Sequence, residues 1–162
     1  SSNSILNVNE YEWWESKSYN GATFTFTPSN HWSARGLFDR KSSLWGGWHV
    51  AYKTKSIIHI GDTAVDDVFE EFGSKLGRLD IAFLPIGSYS PREIEAEYHV
   101  DPTEAFELAK LLNANLTIGI HWGGIFFTQE PTYEPLEIIQ ELNNVNPSVN
   151  FQTPLPGIVI NL

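Results

Sequence analysis

The sequence predicts an α/β domain, rich in strands at its start and alternating between strands and helices afterwards. Three observations carry that expectation. Ala22-Thr23-Phe24-Thr25-Phe26-Thr27 alternates with period two behind an Asn20-Gly21 turn signal, the mark of a hairpin strand. Ser56-Ile57-Ile58-His59-Ile60 is a short, nearly all-apolar run, which suits a strand buried on both faces. Asp101-Pro102-Thr103-Glu104 combines an N-cap residue, a proline at the first helical position and the glutamate of a capping box, a strong helix start.

In chain order, residues 11–27 read as a β-hairpin. Pro28-Ser29-Asn30 breaks the pattern and opens a polar loop from His31 to Ser43. Leu44 to Tyr52 is aromatic and β-branched and reads as a strand, followed by the apolar run at 56–60. Val65, Val68, Phe69, Phe72 and Leu76 then recur at helical spacing, with Asp66, Asp67, Glu70 and Glu71 in the first turns, so one helix is expected over 65–76. Leu79 to Leu84 is a strand stopped by Pro85 and Gly87. The helix capped by Asp101 carries its apolar face through Ala105, Leu108, Leu111 and Leu112. Leu116 to His121 is the next strand, Pro135 to Asn143 a third helix, and Gly157 to Leu162 a final strand. With no repeat, low-complexity tract or linker, residues 1–162 are expected to form a single domain.

The composition narrows the function classes. The chain has 162 residues, 41% of them apolar and 14% aromatic, enough for a real core. Ten basic against twenty acidic residues give a formal charge of −10. Bulk attraction to nucleic acid or anionic lipid is thereby disfavoured; a local basic patch is not excluded, but the ten basic residues form no run. With no cysteine there is neither a disulfide nor a thiolate metal site, and the redox compartment stays open. No apolar stretch approaches the roughly 20 residues of a membrane span, and no signal peptide is visible. The chain begins Ser1-Ser2-Asn3 and contains no methionine, a hint of a processed or truncated chain.

Three polar residues stand where strands end: His31 after the hairpin, Asp62 after Ile60-Gly61, and His121 after Ile118-Gly119-Ile120. Strand ends at a common edge gather ligands from distant sequence, and two imidazoles with a carboxylate suit zinc. Each also has an ordinary reading: a hydrogen-bonded loop histidine, or, for Asp62, a turn residue or the N-cap of the following helix. The three are 31 and 59 residues apart, and no local metal motif links them. No Gly-x-Ser-x-Gly elbow or Gly-x-Gly-x-x-Gly turn offers another chemistry.

Six segments occur in a telling order. They are Thr27-Pro28-Ser29-Asn30-His31-Trp32-Ser33-Ala34-Arg35, Leu44-Trp45-Gly46-Gly47-Trp48, Ile60-Gly61-Asp62-Thr63, Leu84-Pro85-Ile86-Gly87, Tyr98-His99-Val100-Asp101-Pro102-Thr103-Glu104-Ala105 and Gly119-Ile120-His121-Trp122-Gly123. Over roughly residues 10 to 135 the chain resembles the C-terminal half of metallo-β-lactamase-fold enzymes related to N-acyl-phosphatidylethanolamine-hydrolysing phospholipase D. The resemblance implies half of an αββα sandwich, a mixed sheet flanked by helices, with a two-zinc site at one edge. It assigns His31 to one metal, Asp62 to the bridge and His121 to the other metal, with Asp62 and His99 in catalytic roles. His99 would face a phosphate oxygen or the leaving alkoxide; a loop histidine beside the helix cap is its plain alternative. His49 and His59 match no family role.

The family's remaining ligands come from an N-terminal His-x-His-x-Asp-His motif. The five histidines here, His31, His49, His59, His99 and His121, contain no His-x-His, so the ligand set is incomplete and the isolated chain is expected to be inactive. Half a sandwich would also expose an apolar sheet face, to which Trp13, Trp14, Trp45 and Trp48 could contribute. The expected partners are therefore the missing N-terminal half or a second copy, and a small-molecule or phospholipid substrate. The implied compartment is the cytoplasm or, by peripheral contact, a membrane surface. One departure touches substrate: Tyr89-Ser90-Pro91-Arg92 is followed by Glu93, Glu95 and Glu97 where relatives carry bulky apolar residues. A soluble phosphoester or lactone, or a non-catalytic assembly role, are the alternatives to an N-acyl phosphatidylethanolamine. The loop itself reads equally well as a solvated charged turn.

Overall fold

The computed structural model describes residues 8–124 and 128–160. Seven strands lie in sequential order in one sheet: β1 (Ser16–Tyr19), β2 (Ala22–Thr27), β3 (Gly47–Tyr52), β4 (Lys55–His59), β5 (Ile81–Pro85), β6 (Leu116–Ile120) and β7 (Phe151–Gln152). The pairings from β1 to β4 are antiparallel and those from β4 to β7 parallel. The sheet is thus mixed, as expected. Asn20 and Gly21 take φ of 50° and 82°, the two left-handed positions that a two-residue hairpin turn requires.

Parallel neighbours need crossovers, and these carry the helices. A 3-10 helix (Asp67–Glu71) and α1 (Phe72–Leu76) join β4 to β5. Next come α2 (Arg92–Glu95) and α3 (Pro102–Leu112), and α4 (Glu134–Val145) leads to β7. The capping box at α3 forms in both directions, with the Asp101 carboxylate accepting from the Glu104 amide and the Glu104 carboxylate accepting from that of Asp101.

The helices cover one face of the sheet. There Ile58, Ile60, Ala82, Leu84 and Ile86 meet Phe69, Phe72, Phe106, Ala109 and Ile139 in the main core. The opposite face carries a smaller cluster, in which buried Ile81, Leu116 and Ile118 are joined by partly buried Ile57, Phe83, Ile120 and Ile160. None of these residues lies in a helix.

Five expectations need correction. β4 is not buried on both faces: Ile58 faces the helices, whereas His59 is exposed and stacks on Phe83 across the second face. The helix expected over 65–76 is two short pieces, because Asp66 caps the Val68 amide from an extended backbone and a 3-10 turn precedes α1. The charged segment after Pro91 is a helical turn, α2. No strand runs through residues 157–160, and Asn161 and Leu162 lie outside the described residues; β7 forms earlier, where Phe151 and Gln152 pair with Thr117 and Ile118. Finally, only Trp48 of the four tryptophans projects from a strand of the second face, beside Phe26 and Tyr11. Trp14 packs on Phe72 of the main core, and Trp13 on Trp45.

Candidate functional site

The carboxyl ends of β4 and β6 and the loop after β2 converge at one edge of the sheet, the place where open α/β sheets collect reactive groups. Short backbone links bring the loops together. The Asn30 amide donates to Thr63 Oγ1 at 2.9 Å, and the Ala64 amide donates to the Asn30 carbonyl at 2.8 Å. The Val100 amide in turn donates to the Thr63 carbonyl at 2.8 Å. Thr63 is wholly buried. Three segments distant in sequence, ending in His31, Asp62 and His99, are thereby joined side by side.

All four singled-out residues meet there. His121 Nε2 lies 3.4 Å from Asp62 Oδ1. The His99 ring stacks on His121 with centroids 5.4 Å apart and meets His31 edge-on at 5.1 Å. The helix cap expected as an alternative role for Asp62 is supplied by Asp66 instead, which leaves the Asp62 carboxylate facing His121. His49 sits elsewhere, buried and bonded to the Ser56 hydroxyl at 2.8 Å.

Two ring nitrogens decide what the cluster can do. His31 Nδ1 lies 2.9 Å from the Trp32 carbonyl; a carbonyl only accepts, so this nitrogen carries the proton in that bond. The lone pair of a neutral ring then sits on Nε2, which is buried and has no hydrogen-bond partner. His99 Nδ1 is likewise buried and unpartnered. Burial, followed by the opposing pull of Asp62 and the repulsion of His31 and His121, lowers His99 from its ordinary 6.5 to about 4. The ring is therefore neutral near pH 7.

The unpartnered, buried His31 Nε2, in a cluster with the Asp62 carboxylate, fits a divalent metal whose ligation would satisfy it; the unpartnered His99 Nδ1 suits a polar atom of a bound substrate. The set is partial. Among the described residues no three His, Asp or Glu side chains are gathered closely enough to hold an ion by themselves.

Sequence reasoning missed three supports. Thr63 was visible only as part of a tripeptide. Arg92, in the charged segment, donates to the His99 carbonyl at 2.8 Å and to both oxygens of Glu104 at 2.9 Å, which fixes the approach to α3. Glu130 accepts from the Ser88 amide at 2.7 Å and from the Ser90 amide at 3.2 Å. No local pattern signals bonds of this span, although a Pro-Arg step beside carboxylates was a usable hint for Arg92.

Glycine controls how closely the strand ends approach. Gly87, after β5, lies so near β6 that a Cβ there would come 2.2 Å from the His121 carbonyl oxygen. His121 itself has a φ of 59°, a left-handed backbone that a non-glycine residue adopts at a cost and that is common at functional sites.

The sequence model of the beta-lactamase superfamily domain matches residues 1–122. The chain belongs to the metallo-β-lactamase superfamily. It is 41% identical over 141 residues to N-acyl-phosphatidylethanolamine-hydrolyzing phospholipase D 1 of Caenorhabditis elegans, a match covering 83% of this chain and 40% of the worm protein. The mitochondrial N-acyl-phosphatidylethanolamine-hydrolyzing phospholipase D of Saccharomyces cerevisiae is 34% identical, over 87% of this chain and 32% of its own length. Among solved structures, Igni18, a metallo hydrolase of the archaeon Ignicoccus hospitalis, superposes with a TM-score of 0.67 at 19% identity, over 93% of this chain and 58% of that one. At that identity the likeness concerns the fold. This superfamily chain spans well under half the length of the two curated relatives.

Proposed function

We propose that this chain is the C-terminal part of a zinc-dependent phosphodiesterase. The specific reaction proposed is phospholipase D-type hydrolysis of N-acyl phosphatidylethanolamine to an N-acylethanolamine and phosphatidic acid. The observation that carries the proposal is the meeting of His31, Asp62, His99 and His121 at the edge formed by β4 and β6, in a chain 41% identical to a worm enzyme of that name.

In this reading His31, Asp62 and His121 would hold the metal ions. The remaining ligands come from a segment outside this chain, so the chain alone is inactive. Bound zinc would supply an ionised water near neutral pH and stabilise charge on the attacked phosphate. The chain's own residues prepare that place. The Trp32 carbonyl fixes the His31 tautomer, and hence the direction of its lone pair. His121 Nε2 and the Asp62 carboxylate face each other at 3.4 Å. His99, neutral through burial, offers a hydrogen bond to a phosphate oxygen rather than a competing positive charge. The exposed Glu93 and Glu97 stand on and just after α2, beside the Arg92 brace.

The test uses the full-length protein loaded with zinc, with N-acylethanolamine release followed by mass spectrometry. Asp62→Ala is expected to lower kcat/KM on the order of a thousandfold, because it removes the carboxylate that would hold the metal. Undiminished turnover in that variant would sink the metal assignment. Turnover of a soluble phosphodiester without release of N-acylethanolamine would move the substrate to the water-soluble class.

A further inference from the structure

We propose that the turn from Arg35 to Lys41, beside the candidate site, is a lipid-interface anchor that inserts Leu37 and Phe38 into an anionic membrane surface. The proposal rests on the phospholipid reading of the site and names the surface on which that substrate would be met.

Leu37 is 92% and Phe38 98% exposed, the highest values among the large apolar side chains of the described residues. They are adjacent in sequence, and both stand at the tip of a built turn. The Asp39 carboxylate accepts the amides of Arg35 and Gly36, the latter at 2.7 Å. The Lys41 amide donates to the Ser33 carbonyl at 2.7 Å, and the Ser33 hydroxyl closes the base on the Ser43 carbonyl. A turn held in this way keeps its two apolar side chains in water instead of folding them back, a cost that insertion into a lipid interface removes.

The charge around the tip points to the partner. Arg35, Arg40 and Lys41 are three of the ten basic residues of a chain whose formal charge is −10. They fall within seven positions, and the only carboxylate among them, Asp39, is occupied by backbone amides. The Arg40 guanidinium lies 4.8 Å above the Trp32 ring and the Lys41 ammonium 5.7 Å from that of Trp45. An apolar tip ringed by cations and tryptophans matches the layering of an anionic interface: acyl boundary, aromatic level, headgroup charge.

The base of the turn is also continuous with the site. Trp32 stacks on His31 with 6° between the rings. Arg40 donates to the Tyr98 hydroxyl at 3.2 Å, and Tyr98 meets His31 edge-on. A cleft of about 350 Å³ runs along the turn, lined by Trp32, Arg35, Asp39 and Leu44 among others, and reaches His31 of the site. A bilayer gripped by Leu37 and Phe38 would hold its headgroups next to that cleft.

The chain has no cysteine, so Phe38→Cys takes a single environment-sensitive fluorophore at the tip. On phosphatidylcholine vesicles containing about a third phosphatidylserine, the label is expected to shift to the blue and to be quenched by brominated acyl chains. Adding Leu37→Asp should weaken vesicle binding about tenfold. Labels at Tyr19→Cys, on β1, and Val145→Cys, at the end of α4, report other surfaces and should stay in water. The anchor is overturned by an absence of vesicle binding, or by insertion reported from position 19 or 145 instead of 38. Equal insertion into purely neutral vesicles overturns the anionic assignment. A lipid-independent blue shift that grows with protein concentration overturns the anchor too, and assigns the tip to protein contact. Binding is read without metal or turnover, so its failure leaves the hydrolase reading standing. Conversely, a zinc-loaded full-length protein that binds vesicles yet leaves N-acyl phosphatidylethanolamine intact sinks that reading alone.

Discussion

The two faces of the sheet are built on different terms. On one, Ile58, Leu84 and Ile86 are fully buried under Phe69, Phe72 and Phe106, all supplied by crossovers that the parallel pairings require. On the other, the apolar cluster is small, and His59, stacked on its Phe83, stays exposed, as do Trp48 and Tyr52 on β3. The chain's own helices therefore finish one layer, and the second face is where another layer could add stability. The candidate site stands at the edge shared by both faces. Its residues are held from the finished side and its remaining ligands, on the proposed reading, approach from the other.

Substitutions can break that contrast, and the largest effect belongs to the finished face. Phe106→Ala should cost about 3–5 kcal/mol in denaturant unfolding, because it empties a fully buried site between α3 and the sheet. A cost under about 1 kcal/mol would mean that this core is not packed as described. Gly87→Ala comes next: its new Cβ meets the His121 carbonyl oxygen, and relief requires β5 and β6 to part. We expect a loss of about 1–3 kcal/mol, with resonance shifts concentrated on His121, Asp62 and His99 when followed by NMR. Shifts confined to residue 87 would show that the close approach carries no strain to the site.

On the second face the expected effect changes in kind. Ile57→Ser should alter the stability of the chain by less than about 1 kcal/mol, since the side chain is only partly buried. It should, however, reduce any self-association seen in sedimentation velocity. A large loss of stability with unchanged association would erase the distinction between the faces. Smallest is a pH effect. Burial lowers His49 below its ordinary 6.5, so the unfolded chain binds the proton more readily. The associated stability is present above about pH 6.5 and lost as pH falls through the lower folded value. His99, held at about 4, adds to the same slope. His49→Gln should therefore flatten, without abolishing, the fall of the thermal midpoint between pH 7 and 5; an unchanged slope would mean that His49 does not titrate differently on folding.

What could be read beforehand divides along physical lines. Asn20-Gly21 and the Asp101–Glu104 box act within four residues, and both form as expected. β7 could not be read in that way: two residues become a strand only because β6 offers a free edge, whereas the more apolar stretch at 157–160 finds no such partner. His59 misled for a related reason, since a run of apolar neighbours does not tell which face a layer will cover. At the site, strand ends marked out His31, Asp62 and His121, but the spacing gave no means of choosing between ligand, cap and loop. Asp66 settles the cap by taking it. Arg92 and Glu130 act through contacts 7 to 42 residues away, and their value lies wholly in the fold.

The chain of hydrogen bonds through Asn30, Thr63 and Val100 has a consequence for assembly. Loops that fold separately must each be immobilised when a partner arrives, and every such step raises the barrier to docking. Here the three are fastened to one another as soon as the sheet closes, so a docking segment would meet a surface whose shape is already set. In hydrogen exchange, the amides of Asn30, Ala64 and Val100 should open together, at one common rate, and should slow only modestly when an additional segment is bound.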